Sequence, residues 1–292
     1  MAEFLGAKEI LTVSRNRKNG ALSYEELYEE HRDVEIIIDT TPVGMYPEIY
    51  GKTLEFSRLP GVTGVIDAVY NPLRTPLILE AKQRGLTAEG GLYMLVAQAV
   101  KASEIFFDTT YKPEALTSVF NRIRKKKENI VLTGMPGSGK STVGKLIAEK
   151  LGRPFIDTDR LAEEKAGCKI AELFQKKGEE TFRKLESEVV KEVSKKTGSV
   201  IATGGGVPLR KENIRALKEN GRIYFLDRPL SQLIPTADRP LANSREAVAK
   251  RFKERYETYL SACDVRIKAD STAQQVADQI TGEFENETDL CN

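Results

Sequence analysis

Histidine is almost missing from this chain: His31 is the only one in 292 residues. It sits in the charged stretch YEEHRDVE, which reads as a solvated loop. Chemistry built on a histidine base, such as a Ser/His/Asp triad, is therefore not expected. Cysteine is scarce as well. Cys168, Cys263 and Cys291 are far apart and odd in number, so they form neither a metal-ligand spacing nor a disulfide framework. That usage fits a reducing cytoplasm. An excess of one charge sign is also lacking. Lys and Arg number 45 and Asp and Glu 43, a net charge of +2, so no strong field favours nucleic acid or an anionic membrane. No apolar run approaches the length of a membrane span. The opening MAEFLGAKEI has neither the basic start nor the long apolar core of a signal peptide.

What is present is ordinary globular composition, 40% hydrophobic and 30% charged, over a length that suits about two domains. Up to residue 108, strand-like runs alternate with helical patterns. EILTVSR, VEIIIDTT and GVTGVIDAVYNP read as strands, and TPLILEAKQRG as a helix with Pro at its start and Gly85 past its end. GGLYMLVAQAVKASEIFF carries apolar residues at helical spacing. This alternation predicts a parallel α/β sheet. Residues 109–128 read as a linker helix, with Leu116, Val119, Phe120 and Ile123 on one stripe and a solvated basic end at Arg122 to Lys127. From 129 to 285 a second α/β unit follows, with strands in NIVLTG, RPFIDTD, SVIATGGG, GRIYFLD and DVRIKAD and a short tail after it.

The second unit opens with GMPGSGKST, residues 134–142. A Gly-x4-Gly-Lys-Ser pattern between a strand and a helix is a phosphate-binding loop. Glycines such as Gly134, Gly137 and Gly139 let backbone N–H groups, with those of Ser138 and Thr142, surround phosphate oxygens. The helix N-terminus adds positive partial charge. Lys140 is placed to reach the β- and γ-phosphates, and Ser141 to ligate Mg²⁺.

A loop of this kind does not choose the phosphate acceptor. The residues after it bear on that choice. In FIDTD, Asp157 and Asp159 lie two apart on what reads as extended chain, so they are expected to point the same way from the sheet edge. One suits Mg²⁺ through water, and the other a hydrogen bond from an attacking hydroxyl. Glu179, Arg183 and Glu186 share a helical face, a spacing that a surface ion-pair ladder would also show. Gly204, Gly205 and Gly206 follow a strand and allow close backbone approach. Arg239 lies in the loop-like TADRPLA, where it can close over a transferring phosphate, and Arg255 in a helix.

Together the phosphate loop, DTD, the run Ile170-x3-Phe174-x3-Gly178-Glu179-x2-Phe182-Arg183-x2-Glu186, GGG, RPL and Arg255-x3-Tyr259 resemble shikimate kinase across residues 129–285. The resemblance implies a P-loop kinase fold and ATP-dependent phosphorylation of the shikimate 3-hydroxyl. It implies Asp159 at the acceptor hydroxyls, and Arg183 and Arg255 on the carboxylate with Gly204 to Gly206 alongside. It also implies Ser141 and Asp157 at Mg²⁺, and Lys140 with Arg239 on the transferring phosphoryl. Another small-molecule kinase of the same fold stands as the alternative.

In the first 108 residues, Ser14, Arg15 and Arg17 follow a strand, the setting in which an arginine accommodates a cofactor 2′-phosphate. DTTPVGMYP, DAVYNPLRTPL and GGLYMLVAQA resemble the NADP-binding half of shikimate dehydrogenase, with Tyr70 and Gln98 at that family's substrate side. Asp39 stands where that family commonly has Asn. No Gly-x-Gly-x-x-Gly loop occurs, residues 1–10 read as the end of the helix that would follow one, and the family's catalytic half is not matched. The resemblance thus implies a truncated, Rossmann-like segment fused to a kinase and without dehydrogenase turnover of its own. It also implies a possible separate chain carrying the other half, so a docking role is the third reading.

Overall fold

The computed structural model describes residues 6–17, 20–47, 49, 51, 54–233 and 245–286. Arg239 and Cys291 lie outside them. The chain divides into two compact units, Met1–Met94 and Leu95–Asn292.

The first unit is built on a three-stranded parallel sheet. Its strands are β1 (Ile36–Asp39), β2 (Gly64–Asp67) and β3 (Thr87–Glu89), in that order. The face carrying Ile37, Val65 and Ala88 packs with Leu27 and Tyr28 of α1 (Tyr24–Glu30) and with Leu77, Ile78 and Ala81 of α2 (Pro76–Gln83). Thr75 caps α2 ahead of Pro76, and Gly85 beyond it is left-handed. Both ends are as the sequence predicts.

Three sequence expectations need correction. EILTVSR does not form a strand: Val13 makes a single bridge to Leu22, because no neighbouring strand offers it a ladder. Residues 6–10 are turn and irregular chain, not a helix end. YEEHRDVE is loop only from His31 onward; its first three residues are helical. Ser23 and Glu26 form a capping box that starts α1, and half-buried His31 closes it.

At the carboxyl edge of this sheet Asp39 and Asp67 are register partners. Asp67 is fully buried, accepting from Thr75 Oγ1 and from the Val69 amide. Burial, then the charge of Asp39, pushes its carboxyl above the usual range. Asp39 is 6% exposed; its Oδ1 accepts from the Thr41 amide, while Oδ2 is buried without a partner. A raised native pKa means that the folded state loses stability as pH climbs from the unfolded carboxylate range through the folded value. Asp39→Asn removes the neighbouring charge and puts a donor where Oδ2 stands. The variant is expected to gain about 1–2 kcal/mol above neutrality. The gain should shrink as pH falls toward the usual carboxylate range, because protonation of Asp67 removes the repulsion. Melting curves at pH 5 and pH 8 check both the sign and the window.

In the second unit, α3 (Leu92–Phe107), which begins within the first unit's residues, leads to α4 (Pro113–Lys127). The basic end of α4 is anchored more than solvated. Arg153 donates to the carbonyls of Lys125 and Glu128, and the Gly198 amide donates to that of Lys127. Arg124 and Phe120 are buried, whereas Val119 of the expected apolar stripe is exposed.

A five-stranded parallel sheet follows in the order β5-β6-β4-β7-β8. The strands are β4 (Asn129–Thr133), β5 (Phe155–Asp157), β6 (Val200–Ala202), β7 (Gly221–Asp227) and β8 (Val265–Lys268), each within a run read as strand from sequence. One face packs on α5 (Lys140–Leu151) and α10 (Ala273–Asn286), around Ile130, Leu132, Ile147 and Ile280. The other packs on α6 (Thr158–Ala166), α7 (Ile170–Ser194) and α8 (Lys211–Asn220), around Val131, Ile201, Val190 and Leu217. Strands covered on both faces read as continuous apolar runs, which is why these were legible. Helix α9 (Arg245–Ala262) adds a smaller cluster of Phe225, Val248 and Tyr259. Among the described residues no helix is long and apolar enough to cross a membrane.

Candidate active site

The site gathers at the carboxyl ends of β4, β5 and β6. Strand β4 is buried along its whole length and delivers the chain into residues 134–139. Gly139, left-handed, is the cap residue of α5. Lys140 is buried, and its Nζ donates to the carbonyls of Gly134 and Met135, both at 2.9 Å. The lysine therefore lies along the inside of the loop.

Asp157 ends β5 and caps α6, with Oδ1 accepting from the amides of Asp159 and Arg160. Its Oδ2 accepts from Ser141 Oγ at 2.6 Å. Two hard oxygen donors thus meet at the mouth of the loop, a set that fits Mg²⁺, which takes one or two protein ligands beside phosphate and water.

Asp159 does not share an extended segment with Asp157, as expected from the spacing; it lies in the first turn of α6. The helix cap, not strand alternation, sends the two carboxylates to different places. Asp157 goes to Ser141, and Asp159 goes to the segment after β6. A side chain on Gly204 would overlap the Asp159 carboxylate. The Gly204 amide donates to Thr158 Oγ1 at 2.9 Å, so the middle residue of DTD ties that segment to α6.

Helix α7 breaks at Gly178, whose φ is 79°, and restarts at Glu179. From there Arg183 donates to Glu179 at 3.0 Å and to Glu186 at 2.8 Å. The face expected from the spacing forms, but Arg183 and Glu186 are buried, unlike a surface ladder. A side chain on Gly206 would overlap the Arg183 guanidinium. Glycine at 204 and 206 is what lets the acidic and basic groups lie against the backbone here.

Burial, with Asp159 adding to it, pushes the Glu186 carboxyl above its usual range, while Arg183 and Arg255 oppose the shift. For Arg183, burial works against the charge, and Glu186 and Glu179 outweigh it. Arg255 Nη1 donates to the Gly205 carbonyl, and Tyr259 Oη donates to the same oxygen at 2.5 Å. Tyr259 is fully buried and stacked on Phe225; burial above all pushes its hydroxyl up to about 12, so it stays a donor. Sequence reasoning named Tyr259 and, within DTD, Thr158 only as motif residues without a role, and it missed Arg251. Arg251 stands one turn before Arg255, is coupled to Arg183 and Glu179, and is held below the usual arginine range by burial and then by Arg255. The signal was the i, i+4 pair in KRFKERY.

The arrangement brings together a phosphate loop, Arg183, Arg251, Arg255 and the Asp159 carboxylate, with Glu179 and Glu186 paired to Arg183. It suits an anionic alcohol held with a hydroxyl toward a nucleotide phosphate. Residues 136–285 match the family model described as Shikimate kinase. A shikimate kinase of Clostridium botulinum is 46% identical over 53% of this chain and 95% of its own length. The solved shikimate kinase from Acinetobacter baumannii in complex with shikimate is 30% identical, covering 58% of this chain and 99% of that one, with a TM-score of 0.54. Solved structures similar to part of the chain also include a chorismate mutase/shikimate 5-dehydrogenase fusion from Clostridium acetobutylicum. It is 30% identical over 41% of this chain and 46% of that one, with a TM-score of 0.37. With half of its length matched by that model and a kinase core built as its sequence motifs require, the chain belongs to the shikimate kinase family.

Proposed function

We propose that this protein transfers the terminal phosphoryl group of ATP to the 3-hydroxyl of shikimate, giving shikimate 3-phosphate, ADP and a proton. The observation that carries the reading is the juxtaposition of Asp159, Arg183 and Arg255 around Gly204 to Gly206 in a chain of this family. Arg183 and Arg255 take the carboxylate, and Arg251 adds to the positive field. Asp159 accepts a hydrogen bond from the 3-hydroxyl and receives its proton as the O–P bond forms. Gly134, Gly137, Ser138, Gly139 and Thr142 seat the phosphates. Lys140 exchanges its loop carbonyls for β- and γ-phosphate oxygens. Ser141 and Asp157 would hold Mg²⁺, which would supply charge neutralisation to the phosphates. Arg239 is assigned to the transferring phosphoryl, and Cys168 and Cys263, both unpaired, suit a cytoplasmic setting.

A coupled ADP-release assay tests the reading against shikimate and a panel of other anionic alcohols. Shikimate is expected to be the preferred acceptor; turnover with another alcohol and none with shikimate overturns the assignment in favour of a different kinase of this fold.

We infer a dehydrogenase-like module over residues 1–108, which takes in the first unit and the rest of α3, joined through 109–128 to a kinase domain at 129–285, with 286–292 as a tail. One face of its sheet supports a docking role. Ile36, Ile38 and Ile66 are 56%, 42% and 40% exposed on register-matched positions of a parallel sheet, a type ordinarily covered on both faces. A separate chain bearing the complementary half would cover them, and co-purification of such a chain tests this. Arg17 is ion-paired to Glu26 and donates to Ser23, which leaves Arg15 as the exposed arginine for a 2′-phosphate. The chain by itself is expected to form no NADPH from shikimate and NADP⁺; absorbance growth at 340 nm, the band of the reduced nicotinamide, would overturn that.

A further inference from the structure

We infer that Arg228 is a nucleotide-binding residue whose guanidinium engages the non-transferred phosphates. The inference rests on the nucleotide reading of the loop and adds a cation that the loop motif does not contain.

Strand β7 pairs with β4 on the side away from β6. Its end stays against the phosphate loop: the Leu226 carbonyl comes within 2.9 Å of where a side chain on Gly134 would begin. Arg228 is the first residue after β7. Its Nη1 stands 3.6 Å from the point a Cβ on Gly139 would occupy, beside the cap of α5. Its Nε is buried and makes no hydrogen bond. The adjacent carboxylate is committed elsewhere, since Asp227 Oδ2 accepts from Tyr256 Oη at 3.0 Å and from Arg266 Nε at 2.8 Å. Among the described residues no carboxylate pairs with Arg228.

A guanidinium is always charged and carries five donors in a planar fork. Burying one of them without a partner is unfavourable, and phosphate oxygens match the fork in charge and geometry. The sheet order says which phosphates. Asp159 and Gly204 to Gly206 follow β5 and β6, on one side of β4, and define the acceptor side. Arg228 follows β7, on the other. A phosphate chain lying across the loop has its terminal group toward the acceptor and its α and β groups toward β7. Arg228 therefore meets the end that stays with the nucleoside, and its contribution falls on nucleotide affinity.

The test uses the full chain and two probes, ADP and inorganic tripolyphosphate, which has neither base nor sugar. Arg228→Ala is expected to weaken both at least tenfold by calorimetry, to leave shikimate affinity within twofold, and to regain part of the loss as Arg228→Lys. Arg228→Gln, of similar length, replaces the alanine variant if that one does not fold. ADP affinity within twofold of the parent overturns the inference. So does loss of ADP affinity with tripolyphosphate unchanged, which would move the contact to the base or ribose. Failure of the parent protein to bind ADP would instead defeat the loop reading itself.

Discussion

Arg183→Ala is expected to lower kcat/KM for shikimate by about a thousandfold or more, roughly 4 kcal/mol of transition-state free energy. Two charge-assisted bonds from one guanidinium to a carboxylate are of that size in a water-poor site. The loss has a second source. Glu186 is 3% exposed and has Arg183 as its nearest cation, so removing the arginine leaves a buried carboxylate uncompensated, about 3–5 kcal/mol if it stays ionised. Its carboxyl is already pushed up by burial, so taking up a proton relieves only part of that cost. The double variant Arg183→Ala, Glu186→Gln separates the effects. Melting temperature should recover while activity stays lost. Arg183→Lys keeps the charge without the fork and is expected to remain at least tenfold impaired. Activity within tenfold of the parent for Arg183→Ala would mean that the carboxylate is held elsewhere.

The kinase half was legible because several independent signals agreed. The strand before the loop has the apolar centre Ile130-Val131-Leu132, the loop has its glycines and lysine at fixed offsets, and several later strands end in a chemically distinctive run. What the sequence could not show was contact between separated runs. Gly204 and Gly206 look like a tight turn until Asp159 and Arg183 are seen filling the space of their missing side chains. The two carboxylates of DTD were misjudged for a local reason. A strand of three residues hands over to a helix at Asp157, so alternation no longer governs where Asp159 points. The first unit failed differently. EILTVSR has strand composition, but a strand needs a neighbour, and propensity cannot supply one. The same dependence on packing explains why Val119, on the apolar stripe of α4, is exposed while Arg124 is buried.

Lys140→Ala is the other substitution expected to abolish turnover, by about a thousandfold or more in kcat. In phosphoryl transfer the protein does little covalent work; it positions the groups and neutralises charge that spreads over phosphate oxygens as the bond to the leaving group stretches. A lysine inside the loop is the cation nearest those oxygens in the sequence motif, and here its ammonium is already in place. Its partners include the Gly134 and Met135 carbonyls and the Ser138 hydroxyl, neutral acceptors it can give up for anionic ones. The gain on exchange is greatest when charge is greatest, at the transition state, so kcat should suffer more than nucleotide affinity. The same bonds also hold the loop, and Lys140→Ala removes them along with the charge. Lys140→Met, which keeps most of the side chain's length and packing, controls for that loss. If the catalytic account holds, both variants bind ADP within about tenfold of the parent and neither turns over. Restored turnover in Lys140→Met would show that the lysine serves the loop's shape and not the reaction.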